Sequence, residues 1–346
     1  MNISWSTLLP LIFMAVMGLA LLVYVILDGY DLGVGLLLPL ADEAHKDMMI
    51  ASIGPFWDAN ETWLVLGVGV LLVAFPMAHG IVLQALYLPV AVMLIGLILR
   101  GVAFDFRIKA PLQYKIFWNR AFFIGSLLAS AAQGWMLGSY ITGFDSHWLG
   151  LAFSLGIAAT LPAAYVLLGA GWLIMKTDGL LQELAVACAR RVIWPMGMAL
   201  VAISLATPLV NPEVVGKWFG APQLFLLAPV PLCCALAFFA IRHVVHNPHL
   251  VRAGYGWIVF VATVLIFVLA FLGLAYSIYP DIVIGRMTVW DAAVSTEALQ
   301  VLLVGVAITL PAIAGYTVFM YRVFWGRAVA LSYGSSADDN AQTKPH

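Results

Sequence analysis

Residues 56–68 read Phe-Trp-Asp-Ala-Asn-Glu-Thr-Trp-Leu-Val-Leu-Gly-Val, and this stretch decides the class of the chain. It is part of an apolar segment suited to a lipid bilayer, yet it carries the carboxylates Asp58 and Glu61. Ionisable groups at membrane depth are costly unless they face protein or a water-filled cavity, so they mark ion paths or proton relays. These two carboxylates are three residues apart and should share a helix face. Asp28 and Asp31 repeat that spacing in the first apolar segment, so we expect the chain to handle protons or ions inside a bilayer.

Composition identifies a polytopic membrane protein. The chain is 64% hydrophobic and only 10% charged, whereas soluble domains have about 25% charged residues. The net charge of −1 gives no sign of a nucleic-acid partner. The first apolar segment lacks a basic start and carries Asp28 where a cleavage site could lie, so we expect no cleavable signal peptide. The three cysteines have no metal-ligand spacing and are interpreted as small core residues.

Nine segments are apolar over about 20 residues, the length that an α-helix needs to cross a bilayer. They are residues 8–38, 53–75, 79–100, 118–141, 149–175, 191–209, 222–242, 254–277 and 299–321. We therefore predict an all-α integral membrane protein, with residues 1–331 forming a single polytopic transmembrane domain. Residues 332–346 are polar, and we expect a disordered cytoplasmic tail there.

The basic residues predict the orientation of the chain. All but two of the 16 Lys and Arg residues fall on the side of the membrane that holds the C-terminus, the exceptions being Lys217 and Arg286. By the positive-inside rule, we predict a periplasmic N-terminus and a cytoplasmic C-terminus, an arrangement that requires an odd number of spans.

Polar side chains of the first three spans are predicted to meet at one depth. Those that fall in the cytoplasmic halves or at the cytoplasmic ends of these spans are Asp28, Asp31, Asp58, Glu61, Arg100 and Asp105. Their coincidence favours a hydrated layer that protons can reach from the cytoplasm.

Each carboxylate of this layer also has a plainer explanation. Asp58 follows Gly54-Pro55 and could simply complement the dipole of a helix N-terminus. Asp28 and Asp31 precede closely spaced glycines, which allow helices to approach each other, so their carboxylates could be hydrogen-bonding links between helices.

The remaining candidates have similar alternatives. Arg100 is typical of a residue that extends its charged end to the membrane surface. Asp105 could pair at the surface with Arg107 or Lys109. Trp57 and Trp63 are typical of an interfacial aromatic belt or of core packing; alternatively, they line a route for a small apolar molecule or shield a neighbouring cofactor.

The histidines argue against a cofactor bound by this chain. All seven map to loops, span ends or the tail, whereas haem in a helical bundle needs axial ligands such as His, Met or Cys within the membrane. His79, near an end of the third span, is more typical of a structural residue. His243, His246 and His249 give only weak grounds for a metal site. We expect neither haem nor metal to be ligated by this chain, and it lacks phosphate-binding glycine loops and nucleophile elbows.

These motifs resemble subunit II of the cytochrome bd quinol oxidases, in particular its shorter, cyanide-insensitive branch. The matching stretches are residues 27–35, 56–63, 85–89 and 100–107, together with Tyr279-Pro280 and Gly315-Tyr316. The similarity covers nearly the whole chain and is most specific in its first 110 residues.

The resemblance implies nine transmembrane helices, arranged as two four-helix bundles plus a peripheral helix, in the bacterial cytoplasmic (inner) membrane. It implies a heterodimer with subunit I, which would carry the quinol site, two b-type haems and a third haem of the d or b type. Quinol and O2 would be the substrates of the complex. Membrane lipids, a small single-helix accessory subunit and a bound structural quinone or lipid are further expected partners.

Functional positions follow residue by residue from the same resemblance. The positions that match proton-path candidates are Asp28, Asp58 and Asp105. Asp31 and Glu61 join them from the acid layer. Trp63 would lie at the mouth of an oxygen route, and Trp57 and Arg100 would lie near the haem-bearing interface. The short loops and C-terminal region differ from longer members, which leaves the place of any oxygen entry or bound quinone open.

The predicted function is therefore that of a haem-free subunit of an electrogenic quinol:oxygen oxidoreductase, in which carboxylates relay protons from the cytoplasm. A proton-coupled secondary transporter is one alternative, but the acid layer has no equivalent in spans 5–8, as inverted repeats would require. A purely structural subunit that supports the haems of its partner is the other.

Overall fold

The computed structural model describes residues 4–220 and 223–328. Its α-helices, in chain order, are α1 (Trp5–Leu37), α2 (Glu43–Ile53), α3 (Trp57–Ala74), α4 (Pro76–Lys109), α5 (Leu112–Ile141), α6 (Trp148–Lys176), α7 (Gly179–Val210), α8 (Glu213–Phe219), α9 (Gln223–Leu227), α10 (Pro229–His246), α11 (Pro248–Leu250), α12 (Trp257–Ile278), α13 (Val289–Ala292) and α14 (Thr296–Val323). A 3₁₀ turn (Leu38–Leu40) follows α1, and a π-helical segment (Val251–Tyr255) follows α11. Strands β1 (Asp281–Val283) and β2 (Met287–Thr288) form a small antiparallel hairpin.

Nine helical segments within the described ranges are long and apolar enough to cross a membrane, which confirms the predicted number. The helices extend beyond several predicted spans. The third span, predicted as residues 79–100, belongs to a 34-residue helix, α4, and the fourth, predicted as 118–141, begins at Leu112. At 1.5 Å per residue, α4 is roughly 50 Å long and exceeds the hydrocarbon core of a bilayer, which is about 30 Å thick.

The spanning helices form two rings of four. In the first bundle, α1 contacts α3 and α5, and α4 contacts α3 and α5. In the second bundle, α6 contacts α7 and α12, and α10 contacts the same two helices. Helix α6 joins the bundles through α1 and α5, while α14 lies outside the rings against α3 and α1. The predicted arrangement of two four-helix bundles and a peripheral helix is confirmed.

A short helix, α2, precedes the second span and was not predicted. Asp42 caps it, because its carboxylate accepts a hydrogen bond from the backbone N–H of His45 at 2.9 Å. Gly54-Pro55 interrupts the helical path, and α3 begins only at Trp57. The predicted start of the second span, residue 53, is therefore wrong: it is the last residue of α2.

Glycines let α1 approach α6 closely enough to link the two bundles. A Cβ on Gly33 would overlap the carbonyl oxygen of Tyr165, and one on Gly169 would lie 2.5 Å from the carbonyl carbon of Gly33. Gly29 faces the ring of Tyr165 in the same way. This contact fixes the rotation of α1, because only its glycine-lined side fits against α6.

The predicted single domain and polar tail remain predictions. Residues 332–346, the predicted tail, lie outside the described residues, and so does part of the C-terminal end of the predicted domain. The predicted orientation of the termini also remains a prediction. We call the end of the bundles where α4 ends and α5 begins the basic end, because it carries Arg107, Lys109 and Lys115.

Candidate functional site

Arg100 forms the centre of a buried ionic cluster that joins three helices of the first bundle. It lies on α4 and is only 2% exposed. Its Nη1 atom lies 2.6 Å from Oδ1 of Asp28 on α1, and its Nη2 donates a hydrogen bond to Oε1 of Glu61 on α3. Asp28 is fully buried, whereas the side chain of Glu61 is 29% exposed. Glu61 therefore connects the buried pair with the surface of the chain.

Asp31 begins a second part of the cluster, one helical turn along α1. Its Oδ2 accepts a hydrogen bond from Nδ2 of Asn60 at 2.8 Å, and the same amide nitrogen lies 3.0 Å from the hydroxyl of Tyr30. The Asn60 carbonyl oxygen accepts a hydrogen bond from the hydroxyl of Tyr321 at 3.2 Å. The hydroxyls of Tyr30 and Tyr321 are themselves 2.5 Å apart. Because Tyr321 lies on α14, this part ties the peripheral helix to the first bundle.

A third group of polar side chains lies on the other side of Asp28 along α1. It consists of two phenols and a carboxamide, which come from α1, α5 and α6. Tyr24 lies one turn before Asp28, and its hydroxyl accepts a hydrogen bond from Nε2 of Gln133 at 2.9 Å. The hydroxyl of Tyr165 donates to Oε1 of Gln133 at 2.6 Å. All three of these uncharged side chains are buried. The polar groups thus run from Tyr165 on α6 to Asp31 without leaving the interior.

The charges of the cluster do not balance. Asp28 and Glu61 pair with the guanidinium of Arg100, whereas Asp31, one helical turn further along α1, accepts from Asn60. The network therefore holds three carboxyl groups and one guanidinium. Oδ2 of Asp28 and Oδ1 of Asp31 are buried and accept no hydrogen bond from any described residue. Because a buried net charge and a buried unpaired acceptor are both costly, such a cluster favours the uptake of protons and water.

The structure separates the five predicted proton-path residues into two groups. Asp28 and Glu61 meet at Arg100, and Asp31 lies one helical turn from Asp28 and is bonded to Asn60. Asp58 and Asp105 do not enter the cluster, because their side chains are exposed on the surface of the chain. Asp58 lies one turn before Glu61 on α3, so the exposed carboxylate adjoins the opening to the cluster.

The predicted interface residues also differ in their placement. Trp57 is half-buried, and its ring lies 5.4 Å from that of Phe104 beside a narrow crevice that reaches Arg100. Trp63 is buried against α14, where its Nε1 donates to the hydroxyl of Thr317 at 3.0 Å. Arg100 does not extend to the membrane surface, as one sequence alternative allowed, because its charge is neutralised inside the bundle.

Arg107, which the sequence suggested as a partner for Asp105, belongs to a separate polar cluster at the basic end. Arg107 instead pairs with Asp47 of α2, with Nη1 and Oδ1 2.6 Å apart, and its Nε donates to Oδ1 of Asn119. Lys115 lies 3.3 Å from the same aspartate. The pairing between Asp105 and Arg107 is therefore wrong, and this cluster attaches α2 to the ends of α4 and α5.

Sequence reasoning missed the uncharged members of the buried network, which are Tyr24, Tyr30, Asn60, Gln133, Tyr165 and Tyr321. One signal was available, since Tyr24, Asp28 and Asp31 recur at helical spacing along one side of α1. Gln133 is an isolated carboxamide in an apolar span, and its sequence position does not indicate its partners.

The histidines considered from the sequence as possible ligands lie near helix ends. Within the described ranges, no group of three or more His, Cys, Asp or Glu residues could hold a metal ion. His79 is half-buried in the first turn of α4, and His243 and His246 are exposed near the end of α10. The expectation that this chain ligates no haem remains a prediction.

Comparison with known proteins places these features in a family. A family model described as cytochrome bd terminal oxidase subunit II matches residues 9–324. Cytochrome bd ubiquinol oxidase subunit 2 of Bacillus subtilis (strain 168) is 26% identical over 318 residues, which cover 86% of this chain and 90% of the relative. Cytochrome bd-I ubiquinol oxidase subunit 2 of Escherichia coli (strain K12) is 31% identical over 138 residues, covering 39% of this chain and 36% of the relative. A chain of the bd oxidase from Geobacillus thermodenitrificans has a similar fold, with a TM-score of 0.74, 20% identity and coverage of 92% of this chain and 99% of that chain.

Proposed function

Because the chain belongs to the cytochrome bd terminal oxidase subunit II family, we propose that it supports a haem-bearing subunit I and brings protons to the oxygen-reducing site. Membership of the family implies an oxidoreductase complex in the bacterial inner membrane, with the haems on the partner subunit. The complex oxidises quinol and reduces O2 to water, and that reduction consumes protons. The part proposed for this chain is the transfer of those protons through its first bundle.

The observation that carries the proposal is the charge imbalance around Arg100. The guanidinium pairs with Asp28 and Glu61, and the nearby Asp31 has no cationic partner among the described residues, so the cluster can take up two protons without becoming cationic. Arg100 keeps Asp28 and Glu61 close together and oriented, while the unpaired oxygens of Asp28 and Asp31 offer sites for a proton or a water molecule. The cluster thereby provides what a relay through a bilayer needs: polar groups that exchange protons where lipid excludes water.

The proposed entry to this cluster is Asp58. It is exposed, it lies one turn from Glu61, and it belongs to the half of α3 that the positive-inside rule assigns to the cytoplasm. Glu61 would take the proton from Asp58, directly or through water, and pass it to the buried carboxylates. Asp105, also exposed, is proposed as a further protonatable group of the path. The oxygen route at Trp63, the haem types, an accessory subunit and a bound quinone or lipid remain predictions of the resemblance.

Turnover and haem content of the purified complex together test the proposal. Asp58→Asn and Glu61→Gln remove protonatable groups but keep their shape, so we expect quinol oxidation to fall at least about tenfold while the visible haem spectrum stays unchanged. Glu183→Gln, at an exposed carboxylate of α7, is the matched control and should keep wild-type turnover. Wild-type turnover in both relay variants would exclude the path.

A purely structural role is the second candidate, and one observation favours it. The pairs of Arg100 with Asp28 and Glu61 join three helices, so their loss would disturb the first bundle whether or not protons pass through it. In that case the same variants would lose haem in proportion to activity. A transporter function has no support from the family.

A further inference from the structure

Three arginines gather at one end of the seam between α7 and α10, in the second bundle. Arg190 and Arg191 lie on α7, and Arg242 lies on α10. Within residues 4–220 and 223–328, none of the three forms an ion pair with a carboxylate. All three side chains are exposed. This end of the seam therefore carries a concentrated positive charge that the described protein does not neutralise.

Contacts across the seam hold these charges together. Arg190 donates from Nε and Nη2 to the carbonyl oxygen of Val245, at 3.1 and 2.6 Å, which draws α7 onto the end of α10. The guanidinium of Arg242 lies 5.5 Å from the centre of the Trp194 ring on α7. Arg191 precedes Trp194 by three residues and so shares its side of the helix. The Trp194 ring thus contacts the guanidinium of Arg242, and Arg191 lies nearly one helical turn before Trp194 on α7.

The first bundle neutralises part of its basic charge at the same end with its own carboxylates. Its internal ion pairs are Lys46 with Glu43, and Arg107 and Lys115 with Asp47. Lys109 and Arg120 are exposed there and form no ion pair within the described residues. The α7/α10 seam differs because contacts across it hold two of its arginines in place, Arg190 on Val245 and Arg242 on Trp194.

Apolar stripes descend from the arginines along both helices. On α7, exposed side chains at helical spacing follow in the order Trp194, Met198, Val201 and Leu205. On α10, those that lead away from Arg242 are Phe239, Leu236 and Leu232. A free anion would contact only the arginines. An amphiphile would contact the arginines with its charged end and the apolar side chains with its hydrocarbon chains.

We propose that the α7/α10 seam binds an anionic phospholipid. Its phosphodiester would accept hydrogen bonds from Arg191 and Arg242, since a guanidinium matches the geometry of phosphate oxygens. Its acyl chains would lie along the two apolar stripes. Basic pockets between helices on the cytoplasmic side are suited to lipid headgroups, and the sequence assigns this end to that side. The site is independent of the proton path.

Native mass spectrometry of the delipidated heterodimeric complex tests this site. Phosphatidylglycerol and phosphatidylcholine with the same acyl chains would be added separately to the wild type and to the variant R191Q/R242Q. We expect phosphatidylglycerol to bind about fivefold more weakly for each guanidinium removed, because one basic residue near an anionic surface contributes roughly 1 kcal/mol. Binding of phosphatidylcholine should not change. The control R120Q/R322Q removes two other exposed arginines and should retain wild-type affinity.

A lysine variant and a competition experiment complete the test. R191K/R242K preserves the charge but not the guanidinium geometry, so it should bind phosphatidylglycerol more weakly than the wild type and more tightly than R191Q/R242Q. This variant separates charge recognition from a folding defect of the glutamine variant. Glycerol phosphate carries the headgroup without chains and should not displace the lipid. Unchanged phosphatidylglycerol binding in R191Q/R242Q, an equal loss of phosphatidylcholine, or full displacement by glycerol phosphate would each overturn the proposal.

Discussion

Nη1 of Arg100 lies 2.6 Å from Oδ1 of Asp28, and almost nothing of either side chain is accessible from outside the chain. Burial of an ion pair is a poor source of net stability, because both charges lose their hydration. The pair is nevertheless hard to break, since removal of one partner leaves the other charge buried without compensation. This asymmetry makes Arg100 and Asp28 suitable for a direct test of the cluster.

Arg100→Gln should destabilise the first bundle more than a change at both positions. The single variant leaves Asp28 and Glu61 without their cation, at a cost of about 3–5 kcal/mol. The variant R100Q/D28N removes one of the stranded charges and should recover part of the loss. Thermal unfolding of the purified complex, followed by helical circular dichroism, measures both. Equal midpoints for the two variants would contradict the buried ion pair.

Gly33→Ala should separate α1 from α6. A Cβ at this position overlaps the backbone of Tyr165, which cannot move aside as the end of a flexible side chain could. We expect a loss of about 3 kcal/mol, typical of an overfilled contact, with lower yield of the assembled complex.

Gly69→Ala provides the matched control for that change. Gly69 also lies within a spanning helix, α3, but nothing comes within 4 Å of the position that its Cβ would take. Alanine should be neutral or mildly stabilising there, because it favours helix more than glycine does. Comparable assembly yields for the two variants would show that the α1–α6 contact tolerates a side chain.

Hydropathy predicted the number of spans because each crossing requires an apolar run of bilayer thickness. It could not predict where the helices end, since a helix continues as long as its backbone hydrogen bonds do. Thus α4 passes Arg100 and ends only at Lys109, beyond the apolar part of the sequence. Helix α2 is short and only moderately apolar, and its cap at Asp42 was the available signal.

The site was predictable in its carboxylates but not in its pairings. Asp58 and Glu61 have the three-residue spacing that predicted a shared face, yet that spacing leaves an angle of roughly 60° between them. At the edge of a bundle this angle is enough to place Glu61 on Arg100 and to leave Asp58 exposed. The choice of partner for Arg100 depends on the relative rotation of three helices, which no local pattern specifies.

Acidification should loosen α2 before the spanning helices. The backbone N–H of His45 holds the pKa of Asp42 below its usual value, and the bond from Lys46 does the same for the pKa of Glu43. A carboxylate with a lowered pKa stabilises the folded state above its usual pKa, and this contribution is lost as the pH falls through the lowered value. We therefore expect hydrogen exchange in Glu43–Ile53 to accelerate below about pH 4.

Asp42→Asn checks the origin of that acid sensitivity. Asparagine can still cap the helix but has no charge to lose, so the variant should exchange somewhat faster than the wild type at pH 7 and respond less to acid. Glu183→Gln on α7 should leave the pH dependence of α2 unchanged. An unaltered acid response in the Asp42 variant would assign the effect to other groups.

Lys176→Met should release the C-terminal end of the peripheral helix. The Lys176 ammonium donates to three backbone carbonyl oxygens just beyond α14, those of Phe324, Trp325 and Gly326, at 2.9–3.0 Å. It also lies 5.0 Å from the centre of the Trp172 ring. These carbonyls have no helical N–H to pair with, so a cation is their natural partner.

Methionine keeps the length of the Lys176 side chain but donates no hydrogen bond, so its substitution isolates the polar contribution. We expect a local loss of about 2 kcal/mol, seen as faster hydrogen exchange over residues 317–328, while exchange in the second bundle stays at the wild-type rate. Lys109→Met removes an exposed lysine at the end of α4 and should have no such effect. Because Arg327 still pairs with Asp178 in the variant, the segment should remain attached but open more often. Unchanged exchange in Lys176→Met would mean that packing of α14 on α3, through contacts such as Trp63 with Thr317, suffices to hold it.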